Sequence, residues 1–465
     1  MPKTCNPNRK RGHYARYSAI RKSARGIAVE ILSRIDEEKA YSDILLAEAL
    51  KDTPLSQQDK RLVTMLVYGV LRQRNQVDWF IENVAVQPIT DLSSSMKAIL
   101  RSGVYQLLFL NRIPASAVIN EAVNLARGYG HPGSAGFVNA VLRQLQRRLP
   151  AIHFPEKELD PIGHISLSFA HPEWMVRRWL ERYGIDECIA LCKANNQQPQ
   201  LTIRLNTLKV PAEEAPAYLA ADLEELTPSG ILPEGFSLAG PRPLMLTSSY
   251  RKGYFEIQGL SSMLAARTLD PQPGELILDA CAGRGGKTTY LAQLMKNQGL
   301  LIALDRLPQK LQSLRRRSHR LGILIAQAVC GDITSEPFKL QFDRILVDAP
   351  CSSLGILRRH PEIKWIRKES DLAELHPRQV SILESSSHFV KTNGILVYST
   401  CSFEPEETSH VLEEFLQRNA DFRREDIQKF IPASLHSAVE EDGFLRIYPH
   451  RHDMDGFFIA VLRRR

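Results

Sequence analysis

The chain has 465 residues, of which 43% are hydrophobic and 24% charged, so it is globular and too long for a single hydrophobic core. No apolar run approaches the ~20 residues that a membrane-spanning helix needs, and no secretory signal is recognisable. Seven cysteines, an odd number scattered along the chain, predict free thiols in a reducing compartment. We therefore expect a cytoplasmic protein of two or three domains.

Positive charge is concentrated at the start of the chain. The net charge is +8, and the first 25 residues carry eight lysines and arginines and no acidic residue. Such a segment favours a polyanionic partner, although mildly basic proteins without one are common. Our preferred interpretation of residues 1–17 is a basic arm that contacts nucleic acid; an organelle transit peptide has the same composition.

The first half of the chain is predicted to be helical. Apolar residues recur at helical spacing through residues 18–150, which predicts an all-α domain. Pro150, Pro155 and Pro161 punctuate a stretch of weak periodicity, and residues 151–164 are predicted to be a linker. Residues 165–254 combine a helical segment with a strand that carries basic side chains, which indicates a small mixed α/β subdomain. The clearest helices are expected near 93–110, 114–127 and 134–148.

Residues 255–465 alternate between strand-like and helix-like segments, which is typical of a doubly wound, mostly parallel sheet. Helices are expected near 287–296, 308–321, 371–391 and 405–419. The last two apolar runs, GFLRIYP and GFFIAVLRR, are interpreted as a strand pair that finishes the sheet, with an antiparallel arrangement as one option. The five preceding strands are expected in ELILDAC, LLIALD, ILIAQAV, FDRILVDAP and GILVYST.

A glycine-rich loop follows the first of these strands and precedes a helix. Backbone N–H groups in such a turn approach a ligand closely. A phosphate-binding Walker loop is disfavoured because Cys281 occupies a required glycine position, and a dinucleotide loop is disfavoured because Thr288 does. The looser S-adenosylmethionine loop fits, and a tight structural turn is the alternative. The candidate cofactor residues are Cys281, Ala282, Gly283, Arg284, Gly285, Gly286 and Lys287.

Two further strand ends carry acidic residues. Asp305 ends the second strand, where a carboxylate accepts hydrogen bonds from ribose hydroxyls. Asp332 follows the third strand and is a candidate acceptor for an adenine amino group. Each residue alone is more often a loop residue or a helix cap, but together they favour an adenosine-containing cofactor. No sequence pattern indicates a metal.

Two cysteines follow the ends of the next two strands. Asp348-Ala349-Pro350-Cys351 and Ser399-Thr400-Cys401 are expected at the same edge of the sheet, where ligands bind in open α/β folds. A thiolate is a strong nucleophile near neutral pH, so two at one cleft suggest covalent chemistry on an electrophilic carbon. The alternative for any single cysteine is an inert buried thiol.

These paired cysteine motifs, together with the closing Asp455-Gly456-Phe457-Phe458, resemble the Nop2/Sun family of RNA cytosine-C5 methyltransferases. The N-terminal segments LVYGVLR, KAILRSGVYQLLFL, PASAVINEAV and GFVNAVLRQL are similar to a NusB-like RNA-binding domain. The combination resembles the bacterial Sun/Fmu (RsmB-type) group. The resemblance covers almost the whole chain.

The resemblance implies a NusB-like all-α domain followed by a Rossmann-like class I methyltransferase domain. It implies S-adenosylmethionine as cofactor, 16S ribosomal RNA of the small subunit as partner, and no membrane; we expect a monomer. By the family pattern Cys401 attacks C6 of cytosine and Cys351 assists breakdown of the adduct. Asp348 is expected to hold the base or to contact the methionine end of the cofactor, and Lys287 to lower a thiol pKa or bond the base.

One departure from the family pattern lies in the cofactor loop, where Gly283-Arg284 replaces the usual Ala-Pro; Arg284 adds a charge near the cofactor carboxylate. Arg358, Arg359 and His360 follow the Cys351 loop and are candidates for RNA phosphate contacts. Three alternatives stay open. They are an RNA-binding assembly factor that has lost cofactor binding, a DNA cytosine methyltransferase with Cys351 as nucleophile, and action on another RNA such as tRNA.

Overall fold

The computed structural model describes residues 20–51, 53–129, 133–223, 225–238 and 244–465, so the predicted basic arm at 1–17 lies outside the described residues. The chain divides into two compact units. One comprises Met1–Asn196 with His360–Ile366, and the other comprises Gln197–Arg359 with Arg367–Arg465. None of the helices described is long and apolar enough to cross a membrane.

The first unit is helical, as predicted. Serines start three of its helices: the side-chain oxygens of Ser23, Ser56 and Ser93 each accept a backbone N–H three residues later, which satisfies a donor that the helix leaves open. The apolar faces of the helices pack into one buried cluster. The helices are α1 Ala24–Glu38, α2 Ser42–Lys51, α3 Gln57–Arg72, α4 Arg74–Glu82, α5 Ser94–Phe109, α6 Ala115–Tyr129, α7 Ser134–Arg148, α8 Pro161–Ser168 and α9 Glu173–Asn196.

By its contacts the helical unit extends beyond residue 150, because α8 and α9 group with it. The Asn75 amide donates to the Ser166 hydroxyl at 2.8 Å and to the His171 carbonyl at 3.2 Å, which fixes the segment against α4. Gly184, with φ of +76°, kinks α9. The prolines suggested a linker. The contacts that hold this segment join residues about 90 positions apart, so the local sequence does not reveal them.

The helical unit also includes the segment His360–Ile366 from the second half of the chain. It contains the short helix α15, Ile363–Ile366, numbered by its place in the chain. The Lys364 ammonium is buried and donates to the carbonyls of Arg72 at 2.8 Å and Ala170 at 2.7 Å, and to the Asn196 side chain at 3.0 Å. Burial lowers the pKa of Lys364 to about 7. A lysine satisfied in this way is a structural anchor.

The second unit begins with a small antiparallel sheet in the order β2-β3-β1-β4 within the described residues. This sheet lies in the later part of the region 165–254 that was predicted to be a mixed subdomain. Its elements are β1 Leu201–Leu205, α10 Ala215–Leu219, β2 Leu226–Pro228, β3 Gly235–Leu238, α11 Ser248–Lys252 and β4 Phe255–Ile257.

The main sheet follows, and its order in residues 244–465 is β10-β12-β9-β8-β5-β6-β7, with β11 pairing to β12. The strands β7, β6, β5, β8 and β9 are parallel, and the last strands are antiparallel. This arrangement confirms the predicted doubly wound, mostly parallel fold. Its strands are β5 Leu276–Asp279, β6 Leu300–Asp305, β7 Ala326–Cys330, β8 Phe342–Asp348, β9 Val390–Thr400, β10 Phe422–Arg424, β11 Leu445–Ile447 and β12 Phe457–Arg464. Its helices are α12 Leu260–Thr268, α13 Gly286–Leu294, α14 Pro308–Leu321, α16 Ser370–Ser387, α17 Ser409–Arg418 and α18 Pro449–His452.

The parallel register brings the chemically interesting residues to one edge. Asp279 ends β5, Asp305 ends β6 and Asp348 ends β8. Asp348 pairs in register with Ser399 on β9, so the loops after β8 and β9 leave the sheet side by side. Apolar side chains bury both faces of the sheet beneath these loops, which gives the edge a rigid base.

Candidate active site

The two cysteines meet at the carboxyl edge of β8 and β9. The sulfur atoms of Cys351 and Cys401 lie 3.2 Å apart, and both side chains are half-buried. Both cysteines are free thiols. The sheet therefore brings together the pair that the sequence singled out.

The surroundings of the two sulfurs shift their pKa values in opposite directions. The hydrogen bond with Cys351, aided by the Ser353 hydroxyl, lowers the pKa of Cys401, although burial and Asp348 oppose the shift. The hydrogen bond with Cys401, burial and the Cys401 charge raise the pKa of Cys351 well above its ordinary value. The Ser353 hydroxyl and the Lys287 ammonium thus favour a negative charge on Cys401 and a retained proton on Cys351.

A half-buried ion pair lies beside the thiols. The Lys287 ammonium donates to the Asp348 carboxylate at 2.6 Å, and the Ser399 hydroxyl donates to the other oxygen of Asp348 at 3.0 Å. Burial works against the charged lysine, but the Asp348 charge more than offsets it and the pKa of Lys287 is raised. Its ammonium also lies 5.1 Å from the centre of the Phe457 ring. A permanent positive charge at this point favours a thiolate on Cys401.

A buried carboxylate supports the Cys351 loop. Glu407 is fully buried and accepts hydrogen bonds from the Ser352 backbone N–H at 2.6 Å, the Ser352 hydroxyl and the Gln379 amide at 3.1 Å. Burial raises the pKa of Glu407, and these donors oppose the shift. Our sequence reasoning missed this residue. The one available signal, the run Pro405-Glu406-Glu407, equally fits an exposed start of a helix.

Two long side chains hold the same loop through its carbonyl groups. The Arg367 guanidinium donates to the carbonyl of Ser352 at 3.0 Å and to that of Cys351 at 3.3 Å. The Gln379 amide also donates to the Pro350 carbonyl at 3.0 Å. The backbone on both sides of the Cys351 sulfur is therefore fixed.

Backbone contacts join the Cys401 loop to the closing motif. The Gly355 N–H donates to the Cys401 carbonyl at 2.9 Å, and the Gly456 N–H donates to the Gly355 carbonyl at 2.7 Å. A Cβ atom on Gly355 would lie 2.1 Å from the Gly456 oxygen, so no side chain fits there. The Asp455-Gly456-Phe457-Phe458 motif thus supports the site through its backbone.

The glycine-rich loop lies at the end of β5. Gly283 and Gly285 have φ of +57° and +84°, a region that favours glycine. A Cβ on Gly285 would lie 2.6 Å from the Leu314 side chain, whereas a Cβ on Gly283 would meet no atom closer than 4.0 Å. Gly285 therefore allows close packing, and Gly283 leaves open space above the loop. Arg284 is exposed.

The acid at the end of β5 is almost completely buried. The Thr288 hydroxyl donates to one oxygen of Asp279 at 2.7 Å, and the other oxygen has no hydrogen-bond partner among the described residues. Burial, only partly offset by Thr288, raises the pKa of Asp279 to about 7. Burial also raises the pKa of the neighbouring Cys281 thiol, which makes that cysteine a poor nucleophile.

The acids that follow β6 and β7 are held by their own turns. Asp305 accepts from the backbone N–H groups of Gly283 and Leu307, both at 2.9 Å, so it also shapes the glycine-rich loop. Asp332 caps a short 3-10 helix by accepting from the Thr334 N–H at 3.0 Å and from its hydroxyl at 2.8 Å. Of the two interpretations of Asp332, a helix cap or an acceptor for adenine, these hydrogen bonds show the cap.

A buried arginine from the small sheet supports the cofactor loop. Arg204 on β1 donates to the Gly286 carbonyl at 3.0 Å, to the Thr289 hydroxyl at 3.1 Å and to Gln258. Its guanidinium lies 4.8 Å from the centre of the Tyr290 ring. Burial lowers the pKa of Arg204 to about 9. Our sequence reasoning missed this residue, because a basic side chain in a strand usually faces solvent.

The prediction of RNA contacts after the Cys351 loop needs correction at Arg358. Arg358 is 3% exposed and pairs with Asp453 at 2.7 Å, so its guanidinium is not presented to a phosphate. Arg359 pairs with Asp455 at 2.6 Å and keeps a partly exposed side chain. Local sequence shows the charge of these residues but not their acidic partners, which lie about 95 positions later.

His360 lies in the helical unit with Asp43 and Glu362, a grouping whose ligand atoms lie within 4.8 Å of one another. Glu362 is buried, and both of its oxygens accept from Ser42, at 3.0 Å from the backbone N–H and 2.8 Å from the hydroxyl. His360 lies 3.3 Å from Glu362. The grouping is thus a hydrogen-bonded cluster.

The loop residues fit an S-adenosylmethionine-type ligand. The space above Gly283 is open, one Asp279 oxygen is buried without a partner in the described chain, and Asp305 closes the side of the loop. The loop leads directly into α13, and the first N–H groups of a helix are the donors that cofactor loops of this fold use.

Three family descriptions match consecutive parts of the chain. The NusB family matches residues 22–147, the ferredoxin-like domain of RsmF/B-like methyltransferases matches 171–245, and the 16S rRNA methyltransferase RsmB/F family matches 266–463. The ferredoxin-like match spans the end of the helical unit and the start of the second unit.

Relatives match over nearly the full length. A probable ribosomal RNA small subunit methyltransferase B of Bacillus subtilis is 37% identical, with 95% of this chain and 99% of the relative covered. The corresponding Synechocystis protein is 36% identical over the same shares. Among solved structures, PH0851 is 28% identical with a TM-score of 0.82, covering 95% of this chain and 99% of that one. The chain belongs to the RsmB/F family of ribosomal RNA small-subunit methyltransferases, with the NusB-like domain in front.

Proposed function

We propose that this protein methylates C5 of a cytosine in small-subunit ribosomal RNA, with S-adenosylmethionine as methyl donor and a covalent cysteine adduct as intermediate. The observation that carries this proposal is the pair of sulfurs 3.2 Å apart whose pKa values are shifted in opposite directions. The names of the relatives indicate the ribosomal small subunit as the source of the RNA.

The cofactor site follows from the loop after β5. The backbone from Cys281 to Gly286, with Asp305 beside it, would hold the nucleoside, and Asp279 would accept a hydrogen bond from beneath. When bound, S-adenosylmethionine supplies an electrophilic methyl group. Lys287 and Asp348 stand between this loop and the thiols.

Attack on the base begins at Cys401. Its thiolate adds to C6 of a cytosine that is unpaired or flipped out of a stem. As the S–C6 bond forms, the π electrons of the C5–C6 bond shift away from C6 within the ring. C5 then becomes nucleophilic enough to accept the methyl group. Asp348 stabilises this state by accepting a hydrogen bond from a protonated N3 or from the exocyclic amine of the base, because its carboxylate is fixed by Lys287 and Ser399.

Release of the product depends on Cys351. The Cys401 charge is one cause of the raised Cys351 pKa, and adduct formation consumes that charge. The Cys351 thiol then loses its proton to solvent more readily and, as a thiolate, accepts the proton from C5. The electron pair left on C5 re-forms the C5–C6 double bond while the S–C6 bond breaks, which returns Cys401 as a thiolate.

Paired alanine variants test these unequal roles. With a transcript of the small-subunit RNA and S-adenosylmethionine, Cys351→Ala should accumulate an RNA-linked protein on a denaturing gel. Cys401→Ala should form no such species and should lose methylation by at least about 10³-fold, as expected for loss of a nucleophile. Nucleoside mass spectrometry of the wild-type product should detect 5-methylcytidine.

Cys330→Ala is the matched control, because Cys330 is an exposed cysteine on β7 and should leave methylation unchanged. An adduct with Cys401→Ala but not with Cys351→Ala would reverse the assignment and favour the mechanism of DNA cytosine methyltransferases. Failure of the wild-type protein to bind S-adenosylmethionine in a calorimetric titration would instead favour an RNA-binding assembly factor.

A further inference from the structure

Ser353 occupies an unusual backbone position in the reaction centre. It follows Cys351 by two residues and has φ of +67° and ψ of +25°, in the left-handed region that non-glycine residues seldom adopt. For a residue with a Cβ atom this conformation costs roughly 1–2 kcal/mol. Glycine would avoid that cost. The presence of a serine therefore points to the contacts that its side chain makes.

The left-handed turn directs two polar groups of Ser353 at the two sulfurs. Its hydroxyl oxygen lies 3.4 Å from the Cys401 sulfur. Its backbone N–H hydrogen-bonds the Cys351 sulfur. Neighbouring bonds fix the turn, since the Ile356 N–H donates to the Ser353 carbonyl at 3.1 Å and the Gly355 N–H donates to the Cys401 carbonyl at 2.9 Å. The hydroxyl is therefore held against the reacting atom.

We propose that Ser353 is a further catalytic residue, whose hydroxyl stabilises the Cys401 thiolate by donating a hydrogen bond to it. The inference rests on the proposed function in assigning Cys401 as the nucleophile. A hydroxyl suits both states of the sulfur, because it accepts from the thiol S–H and, after rotation, donates to the thiolate. Hydrogen bonds to a charged partner are about twice as strong as neutral ones.

The other groups that face Cys401 leave room for this contribution. Cys351 hydrogen-bonds to the Cys401 sulfur, and the Asp348 carboxylate opposes a negative charge on that sulfur. Lys287 attracts the negative charge, but its ammonium already pairs with Asp348. The Ser353 hydroxyl is the second of the influences that lower the pKa of Cys401, after the bond with Cys351. It is a neutral donor, so it stabilises the thiolate without placing another charge in the cleft.

Site-resolved alkylation measures this effect without RNA or cofactor. In the full-length Cys351→Ala protein, the rate of iodoacetamide modification of Cys401 is followed against pH by peptide mass spectrometry. Ser353→Ala removes the hydroxyl and keeps the backbone strain, whereas Ser353→Gly removes both. We expect both variants to react about tenfold more slowly with iodoacetamide at neutral pH, which corresponds to an upward shift of about one pKa unit. Exposed Cys330 should react equally in all three proteins and serves as the internal reference.

If the pH dependence of Cys401 alkylation is unchanged in both variants, the proposal is overturned. It is also overturned if the profile shifts in Ser353→Ala but not in Ser353→Gly, because the strained backbone and not the hydroxyl would then explain the shift. Thermal unfolding confirms that each variant is folded, and glycine at this position should not destabilise the protein. Trapping of the RNA adduct in Cys351→Ala is a separate measurement. Loss of that adduct would contradict the proposed function, while the alkylation profiles would still decide the contribution of Ser353.

Discussion

The reaction centre and the cofactor loop lie at the same edge of one sheet, yet they are held in different ways. Asp305 and Asp332 accept from backbone groups two residues ahead of them, so short local turns keep these acids in place. Glu407 instead binds Ser352 and Gln379, which lie 55 and 28 positions away. The two acids of the cofactor side thus depend mainly on local turns, with Arg204 as a distant support of the loop, whereas the reaction centre depends throughout on long-range packing.

This difference has a functional reason. A cofactor has its own hydrogen-bonding groups, and a glycine-rich turn adapts to them. Covalent chemistry requires two sulfurs at a fixed separation before any ligand arrives, because small misplacements of reacting groups cost large factors in rate. The buried network around Cys351 provides that fixed geometry.

The largest expected effect comes from breaking the long-range network at Glu407. Glu407→Ala leaves two donors of Ser352 and one of Gln379 without their acceptor, which should lower the free energy of unfolding by about 5 kcal/mol. Methylation should fall by about 10²-fold as the Cys351 loop loses its position. Urea unfolding and methyl transfer from labelled cofactor measure the two effects.

Glu407→Gln retains a carbonyl acceptor and should recover part of both losses. Glu413→Ala, an exposed residue on α17, is the control for loss of a nearby acid and should change neither quantity. A Glu407→Ala protein as stable as the wild type would show that the loop does not depend on this network.

A smaller effect, visible only as pH changes, is expected at Asp279. Its pKa is raised from 3.8 to about 7, so between these values the folded protein binds more protons than the unfolded chain, and stability falls as pH rises. Above pH 7 the ionised carboxylate should cost up to about 4 kcal/mol. Asp279→Asn should therefore be more stable than the wild type at pH 8 and nearly equal to it at pH 4.

Thermal unfolding across this pH range tests the prediction, and the asparagine keeps an oxygen for the Thr288 hydroxyl. Parallel stability profiles for the two proteins would contradict a raised pKa at this position. Cofactor binding should weaken in the same variant if the unpartnered oxygen belongs to the cofactor site.

The smallest expected effect concerns the cofactor edge itself. Asp305→Asn keeps one acceptor oxygen for its turn but loses the charge, so the dissociation constant for S-adenosylmethionine should rise about tenfold, as for one lost hydrogen bond to a charged group. Isothermal calorimetry gives the value. Asp332→Asn should weaken cofactor binding less, because that acid already serves as a helix cap. An equal rise in the dissociation constant for both variants would contradict this difference between the two acids.

Strand ends could be predicted from the sequence, because short β-branched runs followed by polar residues mark them directly. Asp305, Asp348 and the two cysteines were found in this way, and the strand pair that finishes the sheet was expected from two apolar runs, with the antiparallel arrangement of β12 as one option. The signals are local, so one sequence is sufficient to recognise them.

Residues whose partners are distant could not be predicted. Arg204 acts through the Gly286 carbonyl 82 positions later, and Glu407 acts through the Ser352 loop. Arg358 was predicted to bind RNA because its ion pair with Asp453 has no local signature. The grouping of α8 and α9 with the helical unit could not be predicted for the same reason, since distant buried contacts create it.

The hydrogen bonds from Gly456 to Gly355 and from Gly355 to Cys401 have a consequence for biosynthesis. β12, which follows Gly456 directly, lies between β9 and β10, so the sheet stays open beside β9 until residues 457–464 have been synthesised. The helical unit likewise waits for its segment His360–Ile366. A nascent chain therefore lacks the Gly456 bond to Gly355, and the strand that covers β9, until translation has passed this last segment. The support that the closing motif gives to the Cys401 loop is thus among the last parts of the fold to form.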